Sequence, residues 1–307
     1  MTAPAGAGPR PEGPRASLAV VVLTHDEERN LPSCLESVRG WVAEVYVVDS
    51  GSTDRTVTIA ERLGASVVSH PFESHARQWD WALRSLPISA DWILALDADQ
   101  RVTPELRDAI VAALGAPASR AGATPVAYYL NRRQVFRGRF IRHGGYYPKY
   151  LLKLVRRGEA WTDERDLVDH HFYVKGPTAT LAGDLVEDNR NEAEIAVWIA
   201  KHNRYARLQA REEVEQPPGA TPGLLTVWRA GSPDERVRWL KHRWRRLPLY
   251  VRPCLYFFYR YVLRLGFLDG KEGFVFHFLQ GFWYRLLVDI NIDELRRPRA
   301  DGRTRKP

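Results

Sequence analysis

Cysteine is almost missing: Cys34 and Cys254 are the only two in 307 residues, and they lie far apart. That argues against a disulfide framework or a cysteine-ligated zinc site, and a reducing compartment fits. Long hydrophobic runs are missing as well, none reaching the ~20 uninterrupted apolar residues that a spanning helix needs. The opening stretch MTAPAGAGPRPEGPRA lacks the apolar core of a signal peptide and is too rich in Pro and Gly to fold. Residues 1–16 are therefore expected to be a disordered leader on a cytoplasmic chain. The glycine-rich phosphate signatures GxGxxG and GxxxxGKS/T are absent, so neither a dehydrogenase-type dinucleotide fold nor a P-loop is supported. No solenoid repeat is present.

What is present is globular material, 45% hydrophobic and 27% charged. It suffices for one large catalytic domain with an appendage, or for two modest domains. The net charge of +8 is unevenly placed. From Arg229 to Pro307 there are 18 Lys/Arg against 8 Asp/Glu, whereas residues 1–228 carry 27 against 29. The basic character belongs to the C-terminal quarter and calls for a local cause.

Residues 18–23, LAVVVL, suit a strand buried on both faces. After them come leading acids, then Leu31, Leu35 and Val38 at helical spacing, with Gly40 as the stop. The plan repeats as a strand over 44–48, a polar Gly/Ser loop and a helix turning Ile59 and Leu63 inward. A short strand over 66–70, a helix over 74–86 and a strand over 91–97 follow. This rhythm predicts an α/β domain of Rossmann-like type, with a mostly parallel sheet and helices on both faces. Ligands of such sheets bind outside the carboxyl ends of the strands. The polar clusters at 24–28, 49–54 and 97–100 should therefore converge on one crevice. Beyond residue 126 come strands over 126–136 and 150–157, joined by the aromatic GRFIRHGGYYPKY. Residues 190–213 read as a long helix, and EQPPGATPG as a linker.

In DWILALDADQRV, residues 91–102, an apolar strand ends in two aspartates one residue apart. Like charges this close repel, so Asp97 and Asp99 are either solvated at a loop mouth or share a cation. A hard divalent ion prefers such oxygen ligands and bridges readily to phosphate. In VVDSGSTDRT, Asp49 stands at a strand end, placed to accept hydrogen bonds from a base or ribose, and Ser52, Thr53 and Asp54 are N-cap candidates. In THDEERNL, Glu27 and Glu28 either complement the helix dipole or bind ligand.

The three clusters together resemble glycosyltransferase family 2, the inverting GT-A enzymes that use nucleotide-sugar donors. Thr24, Glu27 and Glu28 match its T-x-N-E-E-like opening, with Asp26 where Asn is usual; Val47 to Asp54 match V-V-D-S-G-S-T-D; Asp97–Asp99 match its DxD. RHGGYYP, LVRRG and the LDG near residue 268 extend the resemblance towards bacterial lipopolysaccharide core β-1,4-glucosyltransferases, over roughly residues 18–290. It implies a GT-A fold and Mg²⁺ or Mn²⁺ held by Asp99 against the donor diphosphate, with Asp97 at the ribose. It further implies Asp49 at the uracil and Thr24 and Glu27 lining the same pocket. Arg77 and Gln78 of HARQW join that pocket, although the commoner pattern is A-Q-K-N. An inverting transfer also needs a general base. The family's usual His-Glu is replaced here by Asp169-His170. Asp169 is the expected base, with Asp163, Glu164 and Asp166 as competitors, and His170 or His171 is an alternative third metal ligand. In RHGGYYPKY, Tyr146 and Tyr147 suit acceptor sugar rings, and Arg142, with Arg139 and Lys149, suits acceptor phosphates.

The domain plan that follows is a GT-A domain over 17–213, with a nucleotide-sugar half (17–101) and an acceptor half (102–213). A linker (214–235), a helical aromatic and basic region (236–295) and a disordered basic tail (296–307) complete it. The helical region is expected to lie in the interface of an anionic membrane, the alternative being a hairpin packed on the catalytic domain. The expected partners are a UDP-sugar donor, a lipid-linked glycan acceptor and the inner-membrane surface. Nucleic acid is not among them, because the C-terminal aromatics sit within aliphatic runs. A non-catalytic nucleotide-sugar-binding or scaffold protein is the alternative function.

Overall fold

The structure is a computed structural model that describes residues 16–116, 124–164, 171–215 and 243–297. The leader, most of the linker, the start of the helical region and nearly all of the tail therefore lie outside the described residues.

The first half alternates as its hydrophobic periods dictate. It runs β1 (Ala16–Thr24), α1 (Leu31–Val38), β2 (Val42–Asp49), α2 (Thr56–Arg62), β3 (Ser66–Ser69), α3 (His75–Ser85) and β4 (Trp92–Asp97). The second half is β5 (Gln100–Val102), α4 (Pro104–Gly115), β6 (Ala127–Phe136), β7 (Arg139–Phe140), β8 (Tyr150–Arg156), β9 (Ala160–Thr162), β10 (Phe172–Val174), β11 (Thr178–Glu187) and α5 (Ile195–Glu215). The C-terminal region folds as α6 (Val251–Phe258), α7 (Gly270–Phe276) and α8 (Tyr284–Arg296), with π turns at Tyr259–Leu263 and His277–Trp283.

The main sheet runs β3-β2-β1-β4-β8-β6-β11-β5, with β7 attached to β6. The first four strands are parallel, as their rhythm predicts. The rest is mixed: β8 is antiparallel to β4 and to β6, β11 is parallel to β6, and β5 is antiparallel to β11. Antiparallel pairing enters where the helical crossovers stop, since a parallel neighbour needs a crossover. Only Ala98 and Asp99 separate β4 from β5, although three strands stand between them in the sheet order. Three Cα steps span at most ~11 Å, less than the roughly 19 Å that four strand spacings occupy on a flat sheet. The sheet must therefore curl, bringing the end of β11 against the Asp97–Asp99 turn.

Strand alternation divides the core in two. Leu18, Val20, Val22, Leu94 and Leu96 pack with α1, α2 and α4 on one face. Ala19, Val21, Ile93 and Ala95 pack with Trp79 and Ala82 of α3 on the other. Two further clusters join the C-terminal helices to the α/β body. Phe136, Ile141, Tyr146 and Trp198 meet Phe276; Ala206 and Ala210 of α5 meet Tyr284, Val288 and Ile292 of α8. Beside the second cluster, the buried Arg252 guanidinium bridges Glu213 of α5 and Asp289 of α8. Of the two readings of this region, the described helices show the packed one, because one of their faces carries the apolar residues that cover α5 and β6.

Candidate active site

The loops after β1 and β2 are zipped together by a short ladder. Asp26 sits in the left-handed region at φ 55, where Asn and Asp are the best tolerated non-glycine residues. Its Oδ1 accepts from the amides of Thr53 and Asp54 at 2.7 and 3.3 Å, which holds its carboxyl below the ordinary range. In return, the amides of Asp26, Glu27 and Glu28 donate to Ser52 Oγ (2.8 Å), Thr56 Oγ1 (2.7 Å) and Asp54 Oδ2 (3.0 Å). Ser52 and Asp54 were N-cap candidates; Ser52 ties loop to loop instead, and Asp54 Oδ1 accepts from the Thr56 amide at the start of α2.

Asp49, Thr24 and Gln78 are buried beneath this ladder. Asp49 accepts from the Gly51 and Ser52 amides at 3.0 and 2.9 Å, from Ser52 Oγ at 2.5 Å and from Thr24 Oγ1 at 3.0 Å. Both carboxylate oxygens are thus taken up in shaping the turn. Gln78 is engaged at both ends of its amide. Nε2 donates to Ser50 Oγ (3.1 Å) and the His70 carbonyl (3.2 Å), while Oε1 meets His70 Nδ1 at 2.8 Å. These three sequence candidates build the pocket wall rather than project free groups into it.

An acidic cluster gathers at the carboxyl ends of the strands. Asp97, Asp99, Glu27 and Glu187 converge from the ends of β4, β1 and β11. Burial, then Glu187, Asp97 and Glu27 in that order, push the Asp99 carboxyl well above its ordinary value. Glu27 is raised by burial and, more weakly, by Asp97 and Glu192, against the Asn30 amide and Lys201. Its Oε2 accepts from Asn30 (2.7 Å) and Asn191 (3.1 Å). Gln100 braces the turn: Oε1 accepts from the Asp97 amide at 3.1 Å, and Nε2 donates to Glu187 at 2.9 Å. Two lysines temper the charge. Buried Lys153 of β8 holds Asp97 Oδ2 at 2.9 Å. Lys201 of α5 pairs with Glu192; burial opposes its charge, but Glu192, Tyr205 and Asp99 prevail and raise its pKa.

This donor set fits one hard divalent cation. The donors are all oxygen, and their mutual repulsion is what a cation relieves. Asp99 is the better ligand of the pair, since Lys153 already neutralises Asp97. No cluster of three or more His, Cys, Asp or Glu in ligating geometry occurs among the described residues, so protein carboxylates alone do not complete a ligand shell.

Of the acceptor candidates, Tyr146 is buried and stacks edge-on against Phe276 at 4.7 Å. The aromatic loop therefore turns this ring into the interface with the C-terminal helices, not towards a sugar. Burial, followed by Tyr256, pushes its phenol to about 12. Tyr147 is partly buried and donates to Asp184 at 3.1 Å. Arg142 is exposed, and its amide donates to Asp269 at 3.3 Å. The expected base Asp169, with His170 and Asp166, lies outside the described residues. Glu164 pairs with Arg77 at 3.2 Å. Glu187, Lys153, Lys201 and Asn191 were not singled out from sequence. Lys153 had a local signal, a cation within the apolar YLLKLV; Glu187 had none, because the curl of the sheet brings it to the DxD turn.

The family model for glycosyl transferase family 2 matches residues 19–169. An uncharacterized glycosyltransferase of Rickettsia bellii is 40% identical over 264 residues, 84% of this chain and 80% of its own length. The chain belongs to glycosyltransferase family 2. As a family 2 glycosyltransferase it is a transferase, and its α/β architecture is of the GT-A kind the resemblance implied. The lipopolysaccharide core biosynthesis glycosyltransferase LpsC of Rhizobium meliloti is 27% identical over 66% of this chain and 73% of its own. Against four other Rickettsia glycosyltransferases, the match spans 31% to 32% of their length. Among solved structures, glucosyl-3-phosphoglycerate synthase of Mycobacterium tuberculosis aligns with 18% identity and a TM-score of 0.38, over 64% of this chain and 79% of that one.

Proposed function

We propose that this family 2 enzyme is a metal-dependent inverting hexosyltransferase that moves a hexose from a UDP-sugar to a lipid-linked or cell-surface glycan, as in lipopolysaccharide or exopolysaccharide biosynthesis. The observation that carries the reading is the convergence of Glu27, Asp97, Asp99 and Glu187 on one crevice beside the zipped nucleotide loops. Asp99, with Asp97, would hold Mg²⁺ or Mn²⁺; the ion would neutralise charge growing on the departing diphosphate. Thr24, Asp49 and Gln78 fix the loops that receive the uridine, and Glu27 lines the same pocket. Asp169 takes the proton from the acceptor hydroxyl. That oxygen bonds to the anomeric carbon from the face opposite the diphosphate, whose C–O bond breaks, so the configuration inverts. His170, next to the base in sequence, or His171 is the alternative third metal ligand.

Similarity to a lipopolysaccharide core transferase supports a glycan acceptor. A lipid-borne acceptor is supported by the outer face of the C-terminal helices. Val251, Leu255, Phe258, Val262 and Leu263 form one exposed stripe, continued by Phe267 and Phe274 and accompanied by Arg264 and Lys271. No helix among the described residues is long and apolar enough to cross a membrane. Such a face suits a peripheral seat on the anionic inner leaflet, reached from the cytoplasm. The test is a melting-temperature panel of nucleotide sugars with Mn²⁺, since ligands of the native state raise its stability. One UDP-sugar should raise the midpoint only when metal is present. A panel in which no nucleotide sugar shifts it would overturn the reading.

A further inference from the structure

Three arginines of the C-terminal helices stand around the Gly144–Tyr146 loop, none in a salt bridge among the described residues. The Arg260 guanidinium carbon lies 4.3 Å from the Tyr146 ring and 4.8 Å from the Tyr256 ring. The Arg285 guanidinium carbon lies 5.4 Å from the Tyr256 ring. Both guanidinium groups thus stand over the one Tyr256 ring. Arg260 Nη1 donates to the Gly144 carbonyl at 2.7 Å. Arg264 lies close to Gly145, its Nε 3.5 Å from where a Cβ would stand. The buried Nε donors of Arg260 and Arg285 have no acceptor among the described residues.

The acids that would neutralise them are already engaged. Glu213 and Asp289 hold Arg252, and Asp269 holds His143 at 2.7 Å. Aromatic faces offset part of the cost of these cations. Two guanidinium groups sharing one phenol nevertheless still repel each other, and burial strengthens that repulsion. An arrangement of this kind is complete only with an anion. Forked donors gathered around one loop suit a tetrahedral, multiply charged group better than a lone carboxylate.

We propose that Arg260, Arg264 and Arg285 form a binding site for a phosphate group carried by a membrane lipid, the acceptor lipid itself in the reading above. The lipid source is favoured because Val262, Leu263 and Leu265, on either side of Arg264, are all exposed apolar side chains. A phosphate seated between the arginines would leave its acyl or prenyl chain against that stripe. The adjoining loop leads back to the donor crevice: Tyr146 lies within the field of Arg132, which pairs with Glu187 at 3.0 Å.

The test is flotation of the full-length protein with phosphatidylcholine vesicles that carry equal surface charge as phosphatidic acid, a phosphomonoester, or as phosphatidylglycerol, a diester. Wild type should prefer the phosphomonoester, and Arg264→Gln, an exposed change that leaves the core intact, should weaken that preference about tenfold. Arg260→Lys, which keeps the charge but not the fork, should do the same. Equal binding to both vesicles by wild type, or variants indistinguishable from it, would overturn the proposal. If glycerol 3-phosphate raises the melting temperature in an Arg264-dependent way while vesicle preference is absent, the lipid source is overturned. UDP titration with Mn²⁺ on the same samples separates the two readings. Intact UDP binding without lipid preference defeats this proposal alone, and wild type that binds no UDP defeats the function on which it rests.

Discussion

Asp99 is destabilised where it stands. Its carboxyl is raised by burial and by Glu187, Asp97 and Glu27, so the folded chain holds a proton that the unfolded chain releases. Stability then falls as pH rises from the ordinary carboxylate value through the raised one. Asp99→Asn should therefore melt higher than wild type at pH 7, by about 2–4 °C, with the gain vanishing in acid. The same variant should lose Mn²⁺-dependent UDP binding, which calorimetry would read. Asp49 is the opposite case. Four donors rest on its carboxylate, and truncation strands them in a buried turn. Asp49→Ala should cost about 2–4 kcal/mol in urea unfolding and weaken UDP binding equally with and without Mn²⁺. A loss confined to the metal-bound state would separate Asp49 from the loop it shapes.

At the scale of elements, the two π turns matter most. Such turns re-aim side chains within a helix and recur at functional sites. One carries Arg260 and the other His277, and both reach the Gly144 loop. His277 is fully buried, and a Cβ on Gly144 would fall 2.0 Å from its Cε1, so only glycine admits the ring there. Neither ring nitrogen has a hydrogen-bond partner among the described residues, and Asp269 Oδ2 stands off at 3.8 Å. Burial pushes the ring's pKa down to about 4. A depressed histidine leaves the folded state with fewer protons than the unfolded one, so stability is lost as pH falls from 6.5 towards 4. The full loss is on the order of 3 kcal/mol. His277→Gln should flatten the melting temperature against pH across that window, and parallel curves for both proteins would exclude the ring as its source.

For the whole molecule, the question is whether the C-terminal helices are an appendage. Phe276, Tyr284, Val288 and Ile292 are all buried against the catalytic body, each contributing about 1.5–3 kcal/mol. Together they rival the 5–15 kcal/mol that typically separates a folded chain from an unfolded one. Cutting after Glu215 also leaves Glu213 without Arg252. The truncated chain should therefore fail to give a monodisperse folded protein by gel filtration and circular dichroism, and a cooperative melt would refute this. Charge and aromatic content drew attention to this region from sequence alone, but both also occur on the face turned to the body, where Arg252, Phe276 and Tyr284 are buried.

The parallel half of the sheet was legible because each of its strands is flanked by helices of clear period, and because buried runs such as LAVVVL have no other use. The three clusters at the strand ends followed from the same rhythm, since crossovers deliver every such loop to one edge. Sequence spacing also located the paired aspartates of the crevice. It did not reveal that Lys153 neutralises one of them, or that Glu187 raises the other, because those pairs lie 56 and 88 residues apart. Tyr146 looked like an acceptor platform and became core, since a ring's direction depends on which helix arrives to cover it. Local pattern fixes what each segment can form. Which acid is neutralised, which tyrosine is buried and which arginine lacks a partner depends on the curl of the sheet and on helices folding back from more than a hundred residues away.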